Sequence, residues 1–366
     1  MKFKSIYVAA TSQHVGKTTS TLGLVSSFVR KGLNVGYSKP VGQKHLNFEN
    51  YKVDKDTILF ADLIHFQIIP EVHSPVILGQ GAVEKYLENP DPEFLINQVL
   101  NAKRVLEDRH DVVIYEGTGH PGVGSVVGLS NARVAKMLEA GVIMIVEGGI
   151  GSTIDMLNMC TSLFREEQVE IIGVIINKVM PDKLEKVKHY VGKWMEANNI
   201  PLLGLIPYDP TLAFPIIRTI AETIRSEIIH FENMDSNRVG GILAGSLIEL
   251  KELKSSEDLL LVVSTNSIKD AIDKITWLSN LFHIDHCPLS GIVISGNKPL
   301  DESVLKYIND NQIPVVRTDL DTYEAVIKIS KIEVKINQNT PWKVQKAIKL
   351  IEENVDLEYI IQSKEV

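Results

Sequence analysis

The segment "SIYVAATSQHVGKTTSTLGLVSSFV", residues 5–29, decides the fold. Its first six residues are almost all apolar, as in a strand buried on both faces of a sheet. After Thr18, apolar residues return at three- and four-residue spacing, the period of an amphipathic helix, which ends near Gly32. The turn between strand and helix closes on Gly16-Lys17-Thr18. In such a turn the backbone N–H groups face phosphate oxygens and the following helix presents its positive end. The lysine adds a mobile charge, and the next hydroxyl ligates Mg2+. The strict pattern asks for glycine at position 11, where Thr11 stands.

The pattern outside this segment is consistent with it. "NVGYSKP", "DVVIYEGTG", "GVIMIVEGG" and "EIIGVIINKV" are β-branched runs separated by helical patterns such as "SNARVAKMLEAG", which is expected to end at Gly141. This alternation predicts an α/β fold, a parallel sheet flanked by helices, over residues 1–215, and the Gly16-Lys17-Thr18 turn makes it of P-loop NTPase type. Proline density in "IPLLGLIPYDPTLAFP" marks the boundary. Beyond it, "IIRTIAETIRSEIIH" reads as one amphipathic helix. "NRVGGILAGSL", "DLLLVVST", "LSGIVISG" and "IPVVRTD" read as strands of a second, smaller α/β domain over 216–335. "PWKVQKAIKLIEENVDLEYIIQ" reads as one more helix, opened by Pro341, within a C-terminal helix and tail over 336–366.

The composition excludes several function classes. With 44% hydrophobic and 23% charged residues in a chain of 366, two globular cores are affordable. A net charge of -8 and the absence of a basic run argue against nucleic acid, whose grip requires Lys and Arg to displace counterions. Two distant cysteines, Cys160 and Cys287, form neither a disulfide framework nor a zinc site. No apolar run approaches a membrane span and no signal-like segment precedes Ile6, so a cytoplasmic protein without membrane contact is expected.

Five features in order resemble the dethiobiotin synthetase family over about residues 1–215. "AATSQHVGKTTS" is similar to that family's Gly-Thr-Asp-Thr-Glu-Val-Gly-Lys-Thr loop, in which the threonine at the place of Thr11 is normal. The resemblance implies nucleotide contacts at Thr11, Val15, Gly16, Lys17, Thr18 and Thr19. "GYSKPVGQ" is similar to Gly-Tyr-Lys-Pro-Val-Ala-Ser, which puts Lys39 on the second phosphate- and substrate-contacting lysine. In "DVVIYEGTGHPG", Glu116 falls on the acidic Mg2+ ligand. "VDKDTILFADL" offers Asp56, with Asp54 close by, as a second metal carboxylate. In "IIGVIINKV", Asn177 falls where the family reads adenine with an amide, and "LLGLIPYDPTL" resembles the loop after it. The family also implies a homodimer.

The chemistry is coherent without the family. Mg2+ takes a few hard oxygens plus water and phosphate, so Thr18, Asp56 and Glu116 suffice as its protein ligands. Lys17 and Lys39 would act catalytically by offsetting charge on a transferring phosphoryl group of ATP. Each residue also has a bland reading. Lys39 before Pro40 can be a solvated lysine, Asp54 or Asp56 can cap the helix that follows, Asn177 can be a turn residue, and His14 is expected to be exposed. "GTGHPG", Gly117–Gly122, satisfies a dinucleotide pattern, but Pro121 interrupts it and the first strand already carries the better phosphate loop.

The second half resembles the DRTGG domain found between a dethiobiotin-synthetase-like module and the acetyltransferase domain of some phosphotransacetylases. The resemblance rests on "NRVGG", Asn237–Gly241, and on "LSGIVISGNKPLDESVLKYINDNQIPVV". A turn needing positive φ would account for the glycine pair. In those proteins the two modules are regarded as regulatory, which implies a Mg-ATP sensor, with a small-molecule ligand open for the second domain. The departures Ala10, Ser12, His14 and Gln43 fall on the substrate side, and Ser12 also removes the early loop lysine of partition-type ATPases. The second reading is an ATP-dependent carboxylase or amide ligase of the dethiobiotin synthetase or cobyrinic acid amide synthase type.

Overall fold

The computed structural model describes residues 3–48, 51–245, 258–332, 334, 336 and 340–362. By internal contacts the chain divides into two units, Met1–Asp209 with Ile336–Val366, and Pro210–Lys335.

The first unit is built on six strands: β1 (Ser5–Ala10), β2 (Val35–Ser38), β7 (Val112–Glu116), β8 (Gly141–Glu147), β9 (Ile171–Val179) and β10 (Leu202–Pro207). They lie in the order β10-β9-β8-β1-β7-β2 and every pairing is parallel. Covered on both faces, β1, β7 and most of β8 are buried throughout. The register sets Val8 beside Glu116, Ser38 beside Tyr115 and Glu147 beside Asn177, so the carboxyl ends of five adjacent strands meet at one edge. That edge is where open parallel sheets bind ligands.

Between β2 and β7 the chain makes an excursion through β3 (Val41–Gly42), β4 (His45–Phe48), β5 (Tyr51–Asp54), α2 (Lys55–Ile64) and β6 (Val76–Ile77). Two bonds tie it back to the end of β2 and a third braces it from within. Ser38 Oγ donates to the Val72 carbonyl at 2.9 Å, Lys39 N donates to the His73 carbonyl at 2.9 Å, and Thr57 Oγ1 donates to the same carbonyl at 3.1 Å.

Helix α1 (Lys17–Arg30) is unusual in burying Ser20, Thr21, Ser26 and Ser27 along with its apolar residues. The reason lies at the other end of the sequence. Helix Pro341–Asn354 packs on α1 so closely that a Cβ on Gly23 would lie 2.2 Å from Ile351 Cγ1. Arg30 Nη1 reaches both oxygens of Glu352 at 2.6 and 2.8 Å, and Lys31 pairs with Glu358. The small residues of α1 thus make room for a second layer, and the C-terminal piece counts with the first unit.

The second unit carries β11 (Glu227–His230), β12 (Gly241–Ala244), β13 (Leu259–Ser264), β14 (Leu289–Ser295) and β15 (Val315–Thr318), in the order β11-β15-β14-β13-β12. Only β11 runs antiparallel. Apolar side chains from both faces form two core layers, one with Ile268, Ile272, Val304 and Ile308, the other with Ile217, Ile220, Ala325 and Ile329.

Several expectations are corrected. Helix Asn131–Met137 ends at a left-handed Glu139, not at Gly141, which opens β8. Gly141 is small because a Cβ would lie 2.7 Å from Phe3 and 2.8 Å from Ile172. "IIRTIAETIRSEIIH" is not one helix: Ile217–Thr223 is helical, Arg225 turns at φ 53, and "EIIH" becomes β11. Its β-branched pair fits a pleated edge better than a helix. Gly240 and Gly241 are not among the residues with positive φ, and Gly241 instead starts β12. The last helix is two, Pro341–Asn354 and Leu357–Gln362, split where Val355 bridges to Gly204 on β10. Part of "NRVGGILAGSL", from Ser246 on, lies outside the described residues.

Candidate functional site

The loop after β1 is held from beneath. Thr11, only 3% exposed, continues the ladder by donating N–H to the Ile145 carbonyl at 3.0 Å. Val15 is buried, His14 is exposed with φ 63, and Gly16 has φ 95 as it opens α1. The Gly16 conformation suits glycine on two counts: its left-handed φ, and the 1.9 Å that would separate a Cβ from Asn177 Nδ2. Asn177, at the end of β9, donates Nδ2–H to the Val15 carbonyl at 2.8 Å and accepts Lys178 N–H at 2.8 Å on Oδ1. Lys178 itself has φ 56 and donates to the His14 carbonyl at 2.6 Å. Asn177 and Lys178 are therefore a strut under the loop, a role that the expected adenine contact did not anticipate.

Lys17 begins α1, and its ammonium donates to the Gly119 carbonyl at 3.3 Å. Thr18 Oγ1 donates to Glu116 Oε1 at 2.8 Å. Glu116 is the last residue of β7 and has no exposed surface. Burial raises its pKa to about 7, with Asp56 adding to the shift and Lys39, Lys17 and the Thr18 hydroxyl opposing it. Tyr37, stacked on Phe60 with centroids 3.8 Å apart, donates its hydroxyl to Glu116 Oε2 at 3.3 Å.

Lys39 is no surface lysine. It is 7% exposed, 3.1 Å from Asp54 Oδ1 and in contact with Asp56 Oδ2. Burial disfavours its charge, but Asp56, Asp54 and Glu116 together outweigh that and hold its pKa above the ordinary lysine value. The two aspartates divide the work. Asp54 caps α2, accepting Asp56 N–H at 2.9 Å on Oδ1, the same oxygen that lies 3.1 Å from Lys39 Nζ. It is buried, and burial raises its pKa against the pull of Lys39. Asp56, one residue into the helix, is the more accessible, with 17% of its side chain exposed.

The turn after β7 is built by a residue not singled out from the sequence. Asn131 accepts Tyr7 O–H at 2.6 Å and Thr118 N–H at 3.0 Å, and donates to the carbonyls of Thr118 and His120 at 2.8 and 2.6 Å. All of its amide is used in fixing Gly117–His120, the stretch that faces Lys17. Thr118 Oγ1 in turn donates to the Val41 carbonyl. No helix begins on the Gly117–Gly122 pattern; the next α-helix starts at Asn131. A dinucleotide turn would need a helix N-terminus there.

The structure therefore brings Lys17, Thr18, Lys39, Asp56 and Glu116 together, with Thr11, Val15 and Gly16 in the loop and Thr19 in the first turn of α1. Among the described residues no three carboxylate, imidazole or thiolate groups are placed to hold a metal by themselves. A metal here would need the Thr18 hydroxyl and oxygens from outside the chain, the donor mix that Mg2+ takes with phosphates.

Comparison with known proteins agrees with this geometry. Residues 4–215 match the family model of an AAA domain, and residues 219–332 that of a DRTGG domain. The first match spans more than half of the chain, which therefore belongs to that AAA family, a P-loop type resembling dethiobiotin synthetase. The chain is 24% identical over 346 residues to phosphate acetyltransferase of Pseudomonas putida, covering 91% of this chain and 48% of that protein. It is 28% identical over 233 residues to a probable cobyric acid synthase of Methanocaldococcus jannaschii, covering 57% of this chain and 46% of that protein. The solved MinD cell division protein of Aquifex aeolicus aligns at a TM-score of 0.37 and 15% identity over 57% of this chain and 84% of that one. The chain spans about half the length of the curated relatives it matches, and corresponds to the N-terminal half of the phosphate acetyltransferases. It is a P-loop NTPase-like unit with a DRTGG domain, a fold that implies nucleotide binding. No described helix is long and apolar enough to cross a membrane.

Proposed function

We propose that the first unit binds Mg-ATP and serves as a nucleotide sensor for the second, as a counterpart of the N-terminal half of a phosphate acetyltransferase. The observation that carries this reading is the Thr18–Glu116 contact of 2.8 Å beneath the Gly16-Lys17-Thr18 turn. Loop N–H groups and Lys17 would take the phosphates. Thr18, Glu116 and Asp56 would hold Mg2+, whose positive charge suits a buried carboxylate otherwise pushed toward neutrality. The metal would supply positive charge to offset that of the phosphates. Lys39 would contact a terminal phosphate, and Asn177 and Lys178 brace the loop through the carbonyls of Val15 and His14. We read the first domain as residues 1–215 joined by the returning 336–366, and the second as 216–335.

Ser12, His14 and Gln43 stand on the side where a second substrate would enter, and none supplies a carboxylate or a cation typical of a ligase site. The match to cobyric acid synthase favours a second reading, an ATP-dependent amide ligase using the same loop. The two are separated by following ADP and phosphate release from Mg-ATP, alone and with bicarbonate or glutamine plus carboxylate and diamine acceptors. ATP binding in the micromolar range, abolished in Lys17→Ala and accompanied by no acceptor-dependent turnover, is the expected result. Acceptor-dependent turnover would replace the sensor by the ligase.

A further inference from the structure

Three carboxylates surround one lysine at the centre of the site. Asp54 and Asp56 both touch Lys39, and Glu116 contributes to the field that holds its charge. Lys39 and Asp54 are buried, Glu116 completely so. Buried carboxylates close together either take up protons or share a nearby cation, and the chain supplies the cation in Lys39. Asp54 is committed to capping α2 and to Lys39. Asp56, by contrast, is also among the oxygens that a metal would use. An ammonium in contact with Asp56 Oδ2 and a divalent metal on the same carboxylate would repel each other, so Lys39 and a metal compete for Asp56.

We propose that Lys39 is a resident substitute for the metal: it occupies Asp56 in the nucleotide-free protein, and is drawn off only when phosphates offer it another anion. This rests on the Mg-ATP reading above, and makes Lys39 a positioning residue that sets the order of binding. Metal alone must displace a cation tethered to the chain, so it binds poorly. Nucleotide with metal exchanges partners instead: Lys39 moves to phosphate oxygen and Asp56 becomes available. The site therefore responds to the metal–nucleotide complex and not to the metal by itself. No covalent step is involved, only an exchange of ion pairs.

The test uses the full chain and Mn2+ as the metal probe, titrated without nucleotide and followed by the paramagnetic resonance of free Mn2+ and by thermal melting. Wild-type protein is expected to bind Mn2+ weakly, with its melting temperature almost unmoved. Lys39→Met should bind Mn2+ at least ~10-fold more tightly and gain a metal-dependent rise in melting temperature, even if it is less stable without metal. Equal Mn2+ affinity in wild type and Lys39→Met, or tight Mn2+ binding by wild type, overturns the proposal. Asp56→Asn provides a variant that lowers the buried negative charge and should keep the fold. With Lys39 released on one side, its affinity for ATP in EDTA should rise ~3-fold or more while the gain from added metal disappears. Unchanged metal-free affinity in Asp56→Asn counts against Lys39 being held. Failure of wild type to bind Mg-ATP would sink the sensor reading, whereas the Mn2+ comparison judges the lysine separately.

Discussion

The two units share a plan, mostly parallel strands covered by helices, yet treat charge in opposite ways. At the carboxyl edge of the first unit, Lys39, Asp54 and Glu116 are buried. At the same edge of the second, the register aligns three hydroxyl residues, Ser264, Ser295 and Thr318, and no charged side chain is buried among its described residues. The ion pairs of the second unit's described residues reach the surface, as in Arg238–Asp258, 46% and 29% exposed, and Lys269–Asp301, 55% and 62% exposed. Buried charge is expensive for folding and clusters where chemistry or binding needs it. The sheet architecture alone does not make a site; the first unit accepts a stability cost that the second avoids.

That contrast can be broken most sharply at Lys17. Lys17→Ala should lose about 3 kcal/mol of ATP binding, a ~100-fold rise in Kd by isothermal titration, with the melting of both units unchanged. An unaltered Kd would remove the first unit's claim to a phosphate site.

A comparable effect should appear with pH at His73, a buried imidazole stacked on Phe66. Burial lowers its pKa to about 4 from 6.5, so between these values the unfolded chain takes up a proton that the native chain refuses. Its contribution is complete above pH 6.5 and lost as pH falls toward 4, on the order of 3 kcal/mol. Glu116 works in the opposite direction, because its raised pKa favours the native state as pH falls from about 7. The difference in urea stability between wild type and His73→Gln, measured from pH 7 to pH 4, isolates the histidine. A flat difference would refute it.

Smaller effects concern packing and the named motif. Gly23→Val should destabilise the first unit by about 2 kcal/mol, because Ile351 leaves no room for the added carbons. Differential scanning calorimetry should show only the first unit's transition shifting. Arg238→Gln should cost the second unit less than about 1 kcal/mol, since its pair with Asp258 is half-exposed, and should leave ATP affinity untouched. A larger loss would mean that the DRTGG signature does more than brace the starts of β12 and β13.

What was legible in the sequence had local causes. The strands of the first sheet announce themselves as apolar runs, and the turn after β1 carries its chemistry in consecutive residues. Lys39 and Glu116 could be placed at strand ends for the same reason. The illegible parts depend on partners distant in sequence. Asn177 is recruited by the Val15 carbonyl, and Asn131 by four groups around Tyr7 and Thr118. The grip of both aspartates on Lys39 comes from the excursion through β4 and β5. In "IIRTIAETIRSEIIH", helical periodicity runs past the point where β15 offers an open edge, and pairing overrides propensity. The serine-rich face of α1 makes sense only once the helix that covers it is known.

That covering helix has a consequence for how the chain matures during synthesis. Arg30 and Glu352 are 322 residues apart in sequence, and the whole second unit is made between them. At about 5–20 residues per second, α1 waits tens of seconds on the ribosome with its outer face uncovered. The phosphate-binding loop and α1 are translated before the second unit, and the helix that covers α1 after it. A released chain ending at residue 335 should present a protease-sensitive first unit and a resistant second one.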